Sequence, residues 1–134
     1  MISETLRLNQ LSEETTAWYV GQYLDAMDRL DIERYGTFLA EDVSVQFNNA
    51  PAVQGKAAVV DMLSGYWRSF KAIEHELINI YGSDDRFALE AKNHYVRHDG
   101  KKVTTRAVAF TDRDDDGKVT SVRIYADTSP VFAD

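Results

Sequence analysis

Several side chains in this sequence carry useful chemistry at positions set in apolar patterns. Tyr23 belongs to a series, Tyr19, Val20, Tyr23, Leu24, Met27 and Leu30, that recurs at three- and four-residue intervals. A phenol there can donate to a carbonyl or a developing oxyanion, or it can be a core tyrosine satisfied by a neighbour. His75 lies in Ile73-Glu74-His75-Glu76-Leu77-Ile78-Asn79-Ile80, where neither alternate set is cleanly apolar. Facing inward, it is the best general base in the chain; facing outward, it is a rim histidine between two glutamates. Asn93 interrupts the apolar series Phe87, Leu89, Ala91, Tyr95. A buried amide needs partners, which a ligand, a water or the backbone can supply, and Tyr95 can share that work. Arg106 would bind an anion if turned inward, but arginine is rarely buried without a partner, so an outward position is expected. His94 and His98 lie on the same strand face as Glu90 and Lys92, a face that reads as solvated.

Other chemistries are excluded. The chain has no cysteine, hence no disulfide and no thiolate nucleophile or ligand, and three scattered histidines do not make a zinc site. Asp112, Asp114, Asp116 and Gly117 mimic the first half of a calcium loop. The twelfth position, however, is Arg123 rather than a bidentate Glu, so this is read as a solvated turn. With no Gly-rich phosphate loop and no nucleophile elbow, neither a metal nor a cofactor is expected. A net charge of −7 argues against nucleic acid or an anionic membrane as a partner. The segment Met1–Gln10 does not read as a signal peptide and no apolar run is long enough to cross a bilayer, so a cytoplasmic protein is expected.

The elements that must position these groups follow from periodicity. The 134 residues, 44% of them hydrophobic, are read as one domain, residues 1–134 with a core from about 12 to 132. Ser12, followed by Glu13 and Glu14, starts a first helix, whose apolar stripe runs from Thr16 to Leu30. Asp31 caps a second helix that buries Ile32, Tyr35, Phe38 and Leu39. Val43, Val45 and Phe47 alternate as a short strand, and Gly55 opens a third helix carrying Val59, Met62, Leu63, Tyr66, Trp67 and Phe70. The pattern then changes to period two, predicting strands at 72–81, 86–98, 102–111 and 119–127, separated by Gly82-Ser83-Asp84-Asp85, Asp99-Gly100 and Asp115-Asp116-Gly117. Helices followed by a meander make an α+β fold: a curved antiparallel sheet wrapped as a cone around N-terminal helices, with a tapered cavity between them.

The segments Tyr23-Leu24-Asp25-Ala26-Met27-Asp28, Asp31-Ile32-Glu33 and Phe38-Leu39-Ala40-Glu41-Asp42-Val43 resemble the opening of the nuclear-transport-factor-2-like superfamily. Asp116-Gly117-Lys118-Val119 and Val122-Arg123-Ile124-Tyr125-Ala126-Asp127 resemble the closing hairpin of its SnoaL-like members. The resemblance spans about Tyr19 to Phe132 and implies a cone-shaped α+β barrel, usually dimeric, with a pocket for an apolar small molecule. Activity does not follow from fold, so each position is tested separately. Ketosteroid isomerases in this superfamily imply a tyrosine at Tyr23, which is present. Their base would fall on Phe47 and their second acid near Ala109, and neither residue can do that work. The acid–arginine–acid set of limonene-epoxide hydrolases would fall on Ala91, Asn93 and Ile124, none of them an acid or a cation. The SnoaL-like acid matches Asp127, but strand alternation puts Val122, Ile124 and Ala126 on the apolar face and Asp127 opposite, away from the pocket.

The sequence therefore predicts a small-molecule enzyme of isomerase, cyclase or dehydratase type acting on an apolar, carbonyl-bearing substrate. Tyr23 would steady charge on oxygen, His75 would move the proton and Asn93 would orient the ligand. Phe47, Tyr66, Trp67, Phe70, Leu89, Ala91, Tyr95, Ile124 and Ala126 would shape the pocket. The alternatives are a non-catalytic binding protein with the same cone, and a dimeric scaffold. A homodimer through the sheet, at the face of Arg123 and Tyr125, is expected.

Overall fold

The structure is a computed structural model that describes residues 1–9 and 11–133; Gln10 and Asp134 lie outside the described residues. Strand β1 (Ile2–Asn9) leads into a helical segment that begins as α1 (Glu13–Trp18) and ends as α2 (Leu24–Asp28), with a π-helical turn, Tyr19–Tyr23, between them. Ser12 caps α1 by accepting from the Thr15 N–H, as its position before two glutamates requires. Asp31 caps α3 (Ile32–Gly36) in the same way, through the Arg34 N–H. Then come β2 (Leu39–Phe47), β3 (Val53–Gln54), α4 (Lys56–Trp67), the meander β4 (Ala72–Gly82), β5 (Arg86–Val96), β6 (Lys102–Arg113) and β7 (Val119–Ala126), and a closing turn α5 (Ser129–Phe132).

The strands form one seven-stranded sheet in the order β1-β4-β5-β6-β7-β2-β3. Two expectations are corrected. A strand for which the periodicity gives no sign, β1, precedes the first helix and pairs parallel to β4, as β2 does to β7, so the sheet is mixed rather than antiparallel. No ladder joins β1 to β3 among the described residues, so hydrogen bonds do not close the sheet into a barrel. Parallel flanking pairs follow from the chain's course: helices and loops, not hairpins, return the chain to each edge.

The concave face of the sheet carries the helices, and the core lies between them. Its largest fully buried side chains include Leu24, Val43, Val45, Val59, Phe70, Leu77, Ile80 and Val119. Burying each takes about 1.5–3 kcal/mol of apolar surface energy out of water. The odd pattern of β4 has a local cause. Leu77 pairs with Ala91 but Asn79 pairs with Glu90, so Ile78 is an extra residue, a β-bulge. Ile73, His75 and Leu77 face inward before it, and Ile80 faces inward after it; the parity changes within one strand.

The first helix is fixed to the sheet at its start. The Ser12 N–H donates to Asp84 Oδ1 at 2.8 Å, and Arg113 donates to the Asp84 carbonyl and to Thr15 Oγ1. The same guanidinium covers the Trp18 ring at 4.6 Å. The Asp84 contacts come from the tight β4–β5 turn, where Gly82 has φ +126° and a Cβ would lie 2.3 Å from the Arg86 carbonyl oxygen. Gly82→Ala therefore has no room and the wrong backbone. It is expected to destabilise the fold by at least about 2 kcal/mol, read from the midpoint of urea unfolding.

Candidate functional site

The cavity between helices and sheet has a volume of about 90 Å³. Its floor is the concave face of β5, β6 and β7, where Leu89, Ala91, Ala107, Ala109, Ile124 and Ala126 leave a shallow apolar surface. Its walls are aromatic: a first wall of Tyr19, Tyr23 and Tyr35 from the N-terminal helices and a second of Phe47, Tyr66, Trp67 and Tyr95, the two meeting where Tyr35 lies edge-on to Trp67 at 5.4 Å.

The π-helical turn explains the first wall. One extra residue in the turn brings Tyr19 and Tyr23 into a stack at 5.3 Å, and both are almost wholly buried. A salt bridge locks the next corner: Arg34 Nη1 meets Asp25 Oδ2 at 2.7 Å, holding α3 against α2. Tyr35 on α3 then lies with its hydroxyl 2.7 Å from that of Tyr23. In the second wall the hydroxyls of Tyr66 and Tyr95 are 2.9 Å apart. Each pair holds two O–H groups and makes one mutual bond, so each has one hydrogen left to donate.

His75 faces the cavity from β4. Its ring does not stand alone. Asp28, at the end of α2, places Oδ1 2.6 Å from His75 Nδ1 and also accepts the His75 backbone N–H at 3.0 Å. Both side chains are largely buried, 14% and 18% exposed. A carboxylate can only accept, so Nδ1 carries the hydrogen and Nε2 is the basic nitrogen. The Met1 amino group lies 3.8 Å from the other Asp28 oxygen. Besides the tyrosines, His75 is the only ionisable side chain lining the cavity among the described residues. Asn93 stands beside it on β5, directly opposite in register, and its Oδ1 has no partner.

Tyr23, His75 and Asn93 therefore meet around one cavity, with Phe47, Tyr66, Trp67, Leu89, Ala91, Tyr95, Ile124 and Ala126. Phe70 does not line it; the ring is packed behind the second wall, edge-on to Tyr66 at 5.4 Å and to Tyr95 at 5.0 Å. Helical spacing marked Phe70 as buried but could not separate a cavity wall from the layer behind it. Arg106 is exposed on the outer face. His94 lies there too, bonded to Glu76 and Thr104, while His98 is exposed and bonded to the Arg68 carbonyl. Asp127 is exposed and accepts from the Ser129 N–H, capping the closing turn. Sequence reasoning missed Asp28 and Tyr35 as site residues. The available signal for Asp28 was an acid four residues after Leu24, on an apolar stripe.

Residues 20–122 match the SnoaL-like domain family. The chain belongs to that family. Among solved structures, this SnoaL-like chain is similar to a protein from Xanthomonas campestris pv. campestris described provisionally as a polyketide cyclase. The two are 26% identical, with a TM-score of 0.71 over 87% of this chain and 93% of the other. It shares its fold with an LEH-like epoxide hydrolase of M. tuberculosis, at 17% identity and TM-score 0.72, over 89% of this chain and 87% of the other. A third match is TerC, co-crystallised with polyporic acid, at 15% identity and TM-score 0.74, over 88% and 95% of the two chains. No curated protein matches the sequence. No helix among the described residues is long and apolar enough to cross a membrane.

Burial pushes the phenol of Tyr35 up to about 12, partly offset by its bond from Tyr23, and raises Tyr19, Tyr23, Tyr66 and Tyr95 as well. All five stay neutral donors at working pH. Unfolded tyrosine ionises near pH ~10, so the stability these groups contribute is complete below that value and is lost as pH rises toward their folded-state values. In an alkaline titration, tyrosinate absorbance of these five should rise together with loss of far-ultraviolet ellipticity. Their ionisation while the ellipticity is intact would contradict the buried pairs.

Proposed function

We propose that this SnoaL-like chain catalyses proton transfer at carbon beside the carbonyl of a small, largely apolar ligand, as isomerases, cyclases and dehydratases do. The observation that supports this reading is the Asp28–His75 pair at the cavity wall, in which the carboxylate engages Nδ1 and leaves Nε2 as the basic nitrogen. The carbonyl oxygen accepts the spare O–H of the Tyr23–Tyr35 pair. His75 Nε2 removes a proton from the adjacent carbon, the electron pair moves into the carbonyl, and an enol or enolate forms against the tyrosines. The imidazolium then returns the proton to a different atom, or to a departing hydroxyl. Asp28 acts through His75 as a positioning residue, holding its tautomer and balancing its charge. A binding protein without catalysis would need the apolar cavity but not a paired base at its wall.

Exchange of α-protons for deuterium, followed by NMR on cyclic ketones such as indanone in D₂O, tests the reading without a known substrate. The wild-type chain is expected to accelerate exchange. His75→Gln should lose about a hundredfold or more of that rate, and Asp28→Asn a smaller factor with an altered pH profile. Equal rates in wild type and His75→Gln would leave ligand binding as the function.

A second copy of the chain is the proposed partner of the outer sheet face. There Phe110 and Tyr125, 40% and 48% exposed, pack edge to face beside exposed Val108. Arg123 covers Phe110 and pairs with Asp112 at 3.0 Å. An apolar centre bordered by both charge signs is self-complementary, as a two-fold contact requires. Sedimentation should give a dimer that Phe110→Glu converts to monomer; an unchanged sedimentation coefficient would place the interface elsewhere.

A further inference from the structure

Three inward side chains form a polar row across the sheet: His75 on β4, Asn93 opposite it on β5, and Thr105 opposite Asn93 on β6. Partners in such a row lie about 5 Å apart at Cβ. Asn93 and Thr105 are each only 7% exposed, yet Asn93 Oδ1 and Thr105 Oγ1 have no hydrogen-bond partner. Buried polar atoms are almost always paired, so two orphans side by side need an explanation. Packing does not require them, because Leu at 93 or Val at 105 would fill similar space without an unmet polar group. Asn93 also lines the cavity, next to the alanine floor and the base.

We infer that Asn93, with Thr105 behind it, reads a hydroxyl on the ligand, so that the ligand class is a hydroxylated ring carbonyl rather than a plain hydrocarbon ketone. An amide oxygen can only accept, and its complement is an O–H or N–H group. The helical wall across from the sheet supplies a donor, the spare hydrogen of the Tyr23–Tyr35 pair, whose complement is a carbonyl oxygen. The cavity is thus polarised, with an acceptor at Asn93 Oδ1 on the sheet row and a donor on the helical wall. A ring bearing both a carbonyl and a hydroxyl satisfies the two sides together. This rests on the cavity being the ligand site proposed above, and not on the proton transfer itself.

The test uses single-ring probes on the full chain: phenol, its methyl ether anisole, and toluene, which replaces the hydroxyl by a methyl of similar size. Affinities are read by chemical-shift titration. Wild type is expected to bind phenol about tenfold more tightly than toluene or anisole, although toluene is the more apolar probe. In Asn93→Leu the order should reverse, toluene now binding more tightly, and Thr105→Val should reduce the preference for phenol. Toluene binding as tightly as phenol in wild type, or no saturable binding of phenol, overturns the inference. So does a preference kept intact in a folded Asn93→Leu. Should that variant fail to fold, the wild-type order and Thr105→Val decide the matter. His75→Gln separates the two proposals: it should abolish deuterium exchange while keeping the preference for phenol. A chain that prefers phenol but exchanges no α-protons would retain the hydroxyl reading and lose the catalytic one.

Discussion

Asp28 Oδ1 accepts two hydrogen bonds from a single residue, one from the His75 backbone and one from its ring. That oxygen is the joint between the helical layer and the sheet at the point where the site is built. The backbone bond fixes the height of α2 against β4; the ring bond fixes the imidazole plane and its tautomer. Charge-assisted bonds of this kind are about twice as strong as neutral ones, and both are mostly shielded from water. If the joint were displaced, His75 would lose its orientation and the Tyr19–Tyr23 stack would lose its register with the cavity floor. The proposed chemistry and the packing of the two layers therefore share one atom.

Two local irregularities make that joint possible. The π-helical turn advances the helix by one extra residue, placing tyrosines on the cavity side and Asp28 at the seam. The bulge at Ile78 lets β4 present His75 inward near one end and Ile80 inward near the other. A regular helix and a regular strand would each continue one face, and the apolar core would claim every inward position. Departures from regular geometry at functional positions are common because a site asks for side chains that the core pattern would reject.

Much of the fold was legible in the sequence for the same reason that these details were not. Ser12, Asp31 and the period-two runs of β5 and β6 are regular, and the burial of those strands alternates as their residues do. The strand β1 was illegible because its parallel partner is β4, far along the chain, and no turn chemistry marks such a pairing. The parity of His75 was left open because a bulge cannot be told from a broken pattern without the neighbouring strand. Tyr23 is legible as a phenol on an apolar stripe, and Asn93 as a break in an apolar series. Asp28 is an acid on a helix rich in acids, and only the approach of β4 distinguishes it.

Ala91, Ala109 and Ile124, positions at which the sequence resemblance implies strand-borne acids, form apolar floor. Ionised carboxylates on that floor would meet an apolar ligand in a region where unpaired charge is strongly disfavoured. Moving the carboxylate behind His75 changes that balance. The cavity lining then presents an imidazole, an amide and phenols in place of carboxylates, so a weakly polar ligand meets no acid on the floor. Charge separates only when the proton moves, and at that moment the imidazolium is 2.6 Å from the Asp28 oxygen while the enolate faces the tyrosine hydroxyls. In the proposed reaction each developing charge thus has its counterpart already in place, and the uncharged floor leaves the polar row at Asn93 free to choose the ligand.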